Sequence, residues 1–396
     1  MIGFSMSNFC HAPWMHIYVN PDGRLMPCCL FDDNNIDFPN LNDTPLAEAL
    51  NHPKIVSIRK QLLNNEVPDG CYRCEAQCNM NQNPYRSKMT NLANDKHQPE
   101  YCNSDGTLNF ADMEPTYLDI RFGNLCNLKC RTCSPGFSSA IAAEHNKINQ
   151  LNLPVLHSLS QEAIEDIYSK LDTVKSIYLA GGEPLLEENN VKLLNYLIEN
   201  NLTPELNYNT NLTTITFKNL NYFELWKHFP KIELTVSIDG YKEVNDYIRF
   251  GSNYDKLIEN IKTIKENVPH ARIVINTVAS NMSMHSLPEL GKNLIQHNII
   301  DDMMFSICHF PKMYDPTVLT MESKQYITKQ FDDYVIWLKS QTNANNSFIY
   351  GFIDKCIGLV DYMNSEDNSA LLSDTKNTLS IQDKFRNTDH TKSLKL

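Results

Sequence analysis

The chain has 396 residues, of which 42% are hydrophobic, 10% aromatic and 21% charged, and a formal net charge of −12. It is too long for one ordinary domain and apolar enough to bury a full core, which excludes a disordered or collagen-like chain and a disulfide-stapled miniprotein. The acidic balance disfavours a surface that tracks phosphate backbones, so nucleic acid is not the expected partner. The twelve cysteines stand out, at positions 10, 28, 29, 71, 74, 78, 102, 126, 130, 133, 308 and 356. The first ten residues lack a basic segment followed by an apolar run, and no stretch reaches the roughly 18 apolar residues of a membrane span. A cytoplasmic protein with no membrane partner is the expectation. In a reducing compartment, clustered thiols hold metal more often than they form disulfides.

Residues 1–101 are Asn- and Pro-rich, with a short apolar run at 15–19 and a helical stretch over 46–63. Thr44 and Pro45 suit the N-cap and first helical position, and Pro53 restarts the helix before Ile55, Ile58 and Leu62 mark its apolar face. So irregular and cysteine-rich a segment reads as a small α+β domain stapled by metal.

Strands and helices alternate over residues 112–310. Strands are expected at 117–121, 176–180, 205–209, 232–237, 272–278 and 304–308, with amphipathic helices at 163–171, 191–200, 254–267 and 287–297. Repeated strand–helix–strand units give a parallel α/β sheet with the strand C-termini at one mouth. Six units are too few for a closed eight-fold barrel, so a partial (β/α)6 barrel is the natural outcome. Residues 311–396 read as two C-terminal helices, 321–338 and 348–363, followed by a polar tail for most of which no regular structure is expected.

The most informative motif follows the first strand of the alternating zone: Cys126-Asn-Leu-Lys-Cys130-Arg-Thr-Cys133. Three thiolates in one short loop can bind three irons of a 4Fe-4S cubane and leave one iron open. A structural zinc site completed by a fourth ligand is the alternative. The loop leaves the strand at the end where parallel α/β folds collect their active sites. Gly181-Gly182-Glu183-Pro184 follows the second strand, Asn209-Thr-Asn211 the third, and Ser237-Ile-Asp239-Gly240 the fourth, with Arg249 a few residues on.

Together these residues resemble the radical S-adenosylmethionine (radical SAM) superfamily. The resemblance implies that Cys126, Cys130 and Cys133 hold a 4Fe-4S cluster whose open iron chelates SAM. It further implies that Gly181, Gly182, Glu183, Pro184, Asn209, Ser237, Asp239 and Arg249 bind the cofactor. Glu183 would face the methionine ammonium, and Arg249 its carboxylate. Thr132 departs from the aromatic residue usual before the third cysteine, so adenine packing has to come partly from elsewhere. The resemblance assigns no acid or base to catalysis, because hydrogen-atom abstraction needs none.

In the N-terminal zone, Cys10, a hairpin carrying Gly23 and Cys28-Cys29, and a later Cys71-x-x-Cys74 resemble the twitch subdomain, the shorter relative of the SPASM domain. The resemblance implies an auxiliary 4Fe-4S cluster on Cys10, Cys28, Cys71 and Cys74, with Cys29 and Cys78 as alternates. A zinc ribbon is the competing reading of the same spacing. Most such modules follow the barrel, whereas this one precedes it. Cys102, Cys308 and Cys356 are isolated and read as packing residues.

The expected function is reductive cleavage of SAM to a 5′-deoxyadenosyl radical that takes hydrogen from a peptide or protein. Electrons would come from a flavodoxin or ferredoxin, and the auxiliary cluster would assist oxidation or bind substrate. A radical enzyme acting on a small molecule or nucleotide, or a non-catalytic iron-sulfur or zinc protein, are the alternatives.

Overall fold

Short runs of aromatic and β-branched residues supply the strands of a computed structural model that describes residues 9–32, 37–79, 85–93, 102–103, 105–150, 152–154, 156, 159–341 and 348–395, with the backbone alone at 76–79. The chain forms two compact units: residues 1–126, 154–207 and 228–230 make the first, and 127–153, 208–227 and 231–396 the second.

In the first unit, strands β1 (His16–Val19) and β2 (Leu25–Met26) form an antiparallel hairpin. Its turn is tied by Asp22, which accepts from Asn20 Nδ2 at 2.9 Å and pairs with Arg24 Nε at 2.7 Å, while Gly23 takes φ +85°. Strand β3 (Tyr117–Ile120) pairs parallel with β1, His16 opposite Tyr117, and with β4 (Ser176–Leu179), Tyr117 opposite Ser176. The N-terminal segment therefore adds a strand to the parallel sheet. Alternation puts His16, Tyr18, Tyr117, Asp119 and Tyr178 on one face, and Ile17, Leu118, Ile120, Ile177 and Leu179 on the other. The stretch over 46–63 is two helices, Leu46–Leu50 and Pro53–Leu63. Pro45 sits at the cap rather than inside the first, and Thr44 does not cap it; Pro53 opens the second, whose cap is His52.

Strand β5 (Glu205–Thr210) crosses the point where the units divide, and a small hairpin follows, β6 (Thr216–Phe217) with β7 (Leu220–Asn221). In the second unit β8 (Ile232–Ser237), β9 (Arg272–Ala279) and β10 (Asp302–Ile307) run parallel in that order. All six expected strands are present, and the class is α/β with a mostly parallel sheet. The helices Gln161–Tyr168, Glu188–Glu199, Tyr254–Asn267 and Leu287–Gln296 fill the connections as expected. Three more, Ser139–Asn149, Tyr222–Trp226 and Glu243–Ile248, were not apparent in the sequence. Among the described residues no helix is long and apolar enough to cross a membrane.

The C-terminal region departs most from expectation. Helices Met321–Ser340 and Phe348–Asn364 are followed by a third, Leu372–Arg386, and a short turn of helix, His390–Ser393. The expected polar tail is thus largely helical. Leu372, Thr375, Leu379, Asp383 and Arg386 are buried at helical spacing, so three of the five residues in the stripe that fixes the helix are polar.

Candidate functional site

The Cys126–Cys133 loop has no regular structure and is fixed by backbone hydrogen bonds. The N–H of Lys129 donates to Phe250 O at 2.9 Å and that of Arg131 to Ile248 O at 2.8 Å, while Cys133 N–H closes a turn on Cys130 O at 3.1 Å. Ser138 Oγ donates to Leu128 O at 3.0 Å and accepts from Ile141 N–H, so the residue that starts the next helix also holds the loop. Asn211 Nδ2 donates to Asn127 Oδ1 at 3.0 Å, bringing the end of β5 to the loop. Cys130 is buried, and Cys126 and Cys133 are half-buried.

On the first unit, Gly181 and Gly182 pack against the start of this loop. A Cβ at Gly182 would overlap the Leu125 carbonyl, and one at Gly181 would stand 2.8 Å from Gly123 O at a φ of +126°. The glycines are thus required by protein backbone, a closer constraint than ligand approach. Glu183 N–H donates to Leu125 O at 2.7 Å, and its buried carboxylate accepts from Leu185 N–H at 3.1 Å, capping the turn that Pro184 opens. Glu187, which sequence reasoning missed, also reaches Leu125: burial pushes its carboxyl up to about 7, against the lowering effect of that backbone N–H.

On the second unit, Ser237 ends β8 opposite Asn276, and Asp239 is fully buried. Arg249 Nη1 donates to Asp239 Oδ2 at 3.0 Å, and Asp239 Oδ1 accepts from Val278 N–H at 2.8 Å. The expected carboxylate-binding arginine is paired inside the protein, and its neighbours Ile248 and Phe250 carry the carbonyls that fix the cysteine loop. The Asn209 Oδ1 atom is buried without a hydrogen bond. Three thiols on one anchored loop, with an orphaned amide oxygen at the end of β5, fit a cluster and a polar cofactor.

Cys10, Cys28, Cys71 and Cys74 line one cavity, together with Leu62, Tyr85 and Arg86. Arg86 is paired with Glu75. Burial pushes the Cys10 thiol up to about 11 and that of Cys71 to about 12, and it raises Cys28 as well; neighbouring thiols, Cys74 beside Cys10 and Cys10 beside Cys71, add to the effect. Burial so opposes ionisation of Cys10, Cys28 and Cys71 that a cation among them would be needed to hold them as thiolates, and with Cys74 on the same cavity they form the donor set of a thiolate-bound metal cluster. Cys29 turns elsewhere: burial takes its thiol to about 11, beside Asp119, Arg121 and Tyr85. The Cys78 side chain lies outside the described residues. Cys308 and Cys356 are buried, and Cys102 sits in an isolated bridge to Leu108.

The family model of the Radical SAM superfamily matches residues 120–290, and that of an iron-sulfur cluster-binding domain, SPASM, matches residues 10–75. No curated protein matches the chain. Among solved structures, anSMEcpe with bound AdoMet and a Kp18Cys peptide is 20% identical over 59% of this chain and 62% of its own, with a TM-score of 0.42. Streptococcus suis SuiB bound to the precursor peptide SuiA is 17% identical over 72% and 64%, with a TM-score of 0.41. TYW1 with a lysine-pyruvate adduct is 14% identical over 72% and 89%, with a TM-score of 0.31. This chain thus spans less than two thirds of the length of the anSMEcpe and SuiB structures.

Proposed function

Because the chain belongs to the radical SAM superfamily and carries a SPASM-type iron-sulfur domain, we propose that it is a radical enzyme that modifies a peptide or protein. Its cofactors are a SAM-chelating 4Fe-4S cluster and auxiliary iron-sulfur, with SAM itself. The observation that carries the reading is the presence of two thiol sets of different build: three on an anchored loop beyond β3, four around a cavity. When loaded, the cluster held by the first set would supply one-electron cleavage of SAM and hydrogen-atom abstraction, and the one held by the second would accept the substrate's electron or bind substrate.

The chain's own residues have separate tasks in this reading. Cys126, Cys130 and Cys133 hold the SAM-binding cluster; Cys10, Cys28, Cys71 and Cys74 hold the auxiliary one. Gly182 lets the β4 turn close on Leu125, and Gly181 lets it close on Gly123. Pro184 and Glu183 rigidify that turn, Asn209 and Ser237 line strand ends toward the cofactor, and the buried Asp239 holds Arg249 behind them. Arg249 orients the segment that carries the loop's acceptors. The peptide class rests on the likeness to twitch and SPASM enzymes, which act mostly on peptides and proteins. A flavodoxin or ferredoxin is the proposed reductant, and the cytoplasm the proposed location.

Anaerobic reconstitution tests the assignment. About eight iron and eight sulfide per chain are expected, and dithionite with SAM yields 5′-deoxyadenosine. Replacing Cys126, Cys130 and Cys133 with Ala abolishes that product and leaves the auxiliary iron in place. A chain that binds zinc at its N-terminal cysteines overturns the electron-acceptor role. Synthetic peptides encoded beside the gene provide the substrate test, read as a mass change matched by 5′-deoxyadenosine. Turnover of a nucleotide but of none of these peptides overturns the substrate class.

A further inference from the structure

The third C-terminal helix, Leu372–Arg386, ends against the cysteine loop, and the contact is ionic, buried and double. Arg131, between Cys130 and Cys133, has a side chain that is 0% exposed. Its Nη2 donates to Asp383 Oδ1 at 2.8 Å and to Thr388 Oγ1 at 3.0 Å, its Nη1 to Gln382 Oε1 at 2.9 Å, and its Nε to Tyr247 O at 3.0 Å. The guanidinium lies 3.7 Å from the centroid of the Tyr247 ring, whose hydroxyl donates to the same Asp383 oxygen at 2.8 Å. Asp383 is in turn fixed by its own chain. Asn387 takes the left-handed conformation that ends the helix, and the returning segment brings Thr388 Oγ1 to Asp383 Oδ1 at 2.6 Å and His390 N–H to Oδ2 at 2.7 Å.

One turn on, Arg386 makes a forked pair with Glu144. Nη2 donates to Oε1 at 2.6 Å and Nε lies 3.1 Å from both oxygens, with side chains 0% and 1% exposed. Glu144 belongs to the helix that Ser138 caps, and it stands 3.6 Å from Lys129 Nζ on the cysteine loop. Each arginine has a carboxylate partner, and the Arg386–Glu144 fork fixes orientation as well as distance. An isolated helix needs no such network to pack. Charges this buried hold one geometry because breaking a pair leaves an uncompensated ion.

We propose that this helix is a latch on the cysteine loop, with Arg131, Asp383, Arg386 and Glu144 as positioning residues that hold Cys130 and Cys133 in ligand geometry. The proposal rests on the reading of that loop as the SAM-cluster site, and the test separates the two. Hydrogen exchange on the full-length chain, before and after anaerobic reconstitution, follows the peptide covering residues 127–133, whose Lys129 and Arg131 amides are hydrogen-bonded. In Asp383→Asn and Arg386→Gln, exchange of that peptide is expected to rise about tenfold or more while β9 stays protected. The reduced SAM-bound cluster is expected to give a shifted and broadened EPR spectrum. Arg131→Lys keeps the charge and loses the fork, so it should fall between wild type and Asp383→Asn on both readouts; it also decides the matter if Asp383→Asn fails to fold. Unchanged loop exchange and an unchanged spectrum in the folded variants overturn the latch. Exchange that responds in a loop that never binds iron leaves the latch standing and overturns the cluster assignment.

Discussion

Gly182 meets the Leu125 carbonyl backbone to backbone, so closely that a Cβ at 182 would overlap the oxygen. The contact joins the turn after β4 to the residue before Cys126, and Glu183 N–H reinforces it with a 2.7 Å bond to the same oxygen. Gly182→Ala is therefore expected to cost about 1–3 kcal/mol, since backbone has to move. Urea unfolding measures the loss, and iron analysis should show the deficit at the Cys126–Cys133 loop with the N-terminal iron retained. A fully stable Gly182→Ala chain with full iron would show that the turn relaxes freely.

The two thiol groups at 28 and 29 are neighbours in sequence and face different surroundings. Cys28 lines the cavity with Cys10, Cys71 and Cys74, whereas Cys29 sits with Asp119 and Arg121. Replacing any one of the four cavity cysteines by Ser should lower reconstituted iron by as much as about four per chain. Cys29→Ser should leave the count unchanged. Iron and sulfide assays on the five variants read this directly, and loss of iron in Cys29→Ser would move the ligand set.

These two sites show what was legible in the sequence. Cysteine spacing pointed to both thiol groups because the ligands lie close in sequence, and β8 and the Tyr254–Asn267 helix were readable because their apolar period is regular. The Leu372–Arg386 helix was not, because its buried stripe includes Thr375, Asp383 and Arg386; Thr375 bonds Met313 O, and the partners of Asp383 and Arg386, Arg131 and Glu144, lie more than 240 residues away. A buried ion pair looks like solvated charge until its partner is known. Likewise His16–Val19 read as an apolar run, and nothing in four residues tells that they pair with Tyr117–Ile120. The placement of Arg249 on Asp239 was hidden for the same reason: the spacing marked the residue and left its partner open.

His16 gives a pH dependence whose sign is fixed. Burial, helped by the positive charge of Lys88, pushes its imidazole down to about 3 from an ordinary value near 6.5. The unfolded chain thus binds a proton below about pH 6.5 that the folded chain refuses until about pH 3. Stability is complete above the unfolded value and falls as pH drops through this window, by at most about 1.4 kcal/mol per pH unit from this residue. His16→Phe should flatten the dependence between pH 6.5 and pH 4 in urea unfolding. An equal slope in wild type and variant would place the acid sensitivity on other groups.

Gly291 and Tyr334 form a close helix–helix contact in the second unit. A Cβ at 291 would overlap the tyrosine hydroxyl, which is itself buried without a hydrogen-bond partner. The helix Leu287–Gln296 thus approaches Met321–Ser340 at a point where a small residue faces a large one. Gly291→Ala should cost about 1–3 kcal/mol by overpacking, against any gain in helix propensity. Tyr334→Phe removes an unsatisfied polar atom and should be neutral or stabilising by about 1 kcal/mol. The double variant should recover much of the Gly291→Ala loss, because the clashing oxygen is gone. The coupling energy from a double-mutant cycle is expected to exceed about 0.5 kcal/mol. Additive effects would mean that the helices separate to admit the methyl group, and that the hydroxyl does not set their spacing.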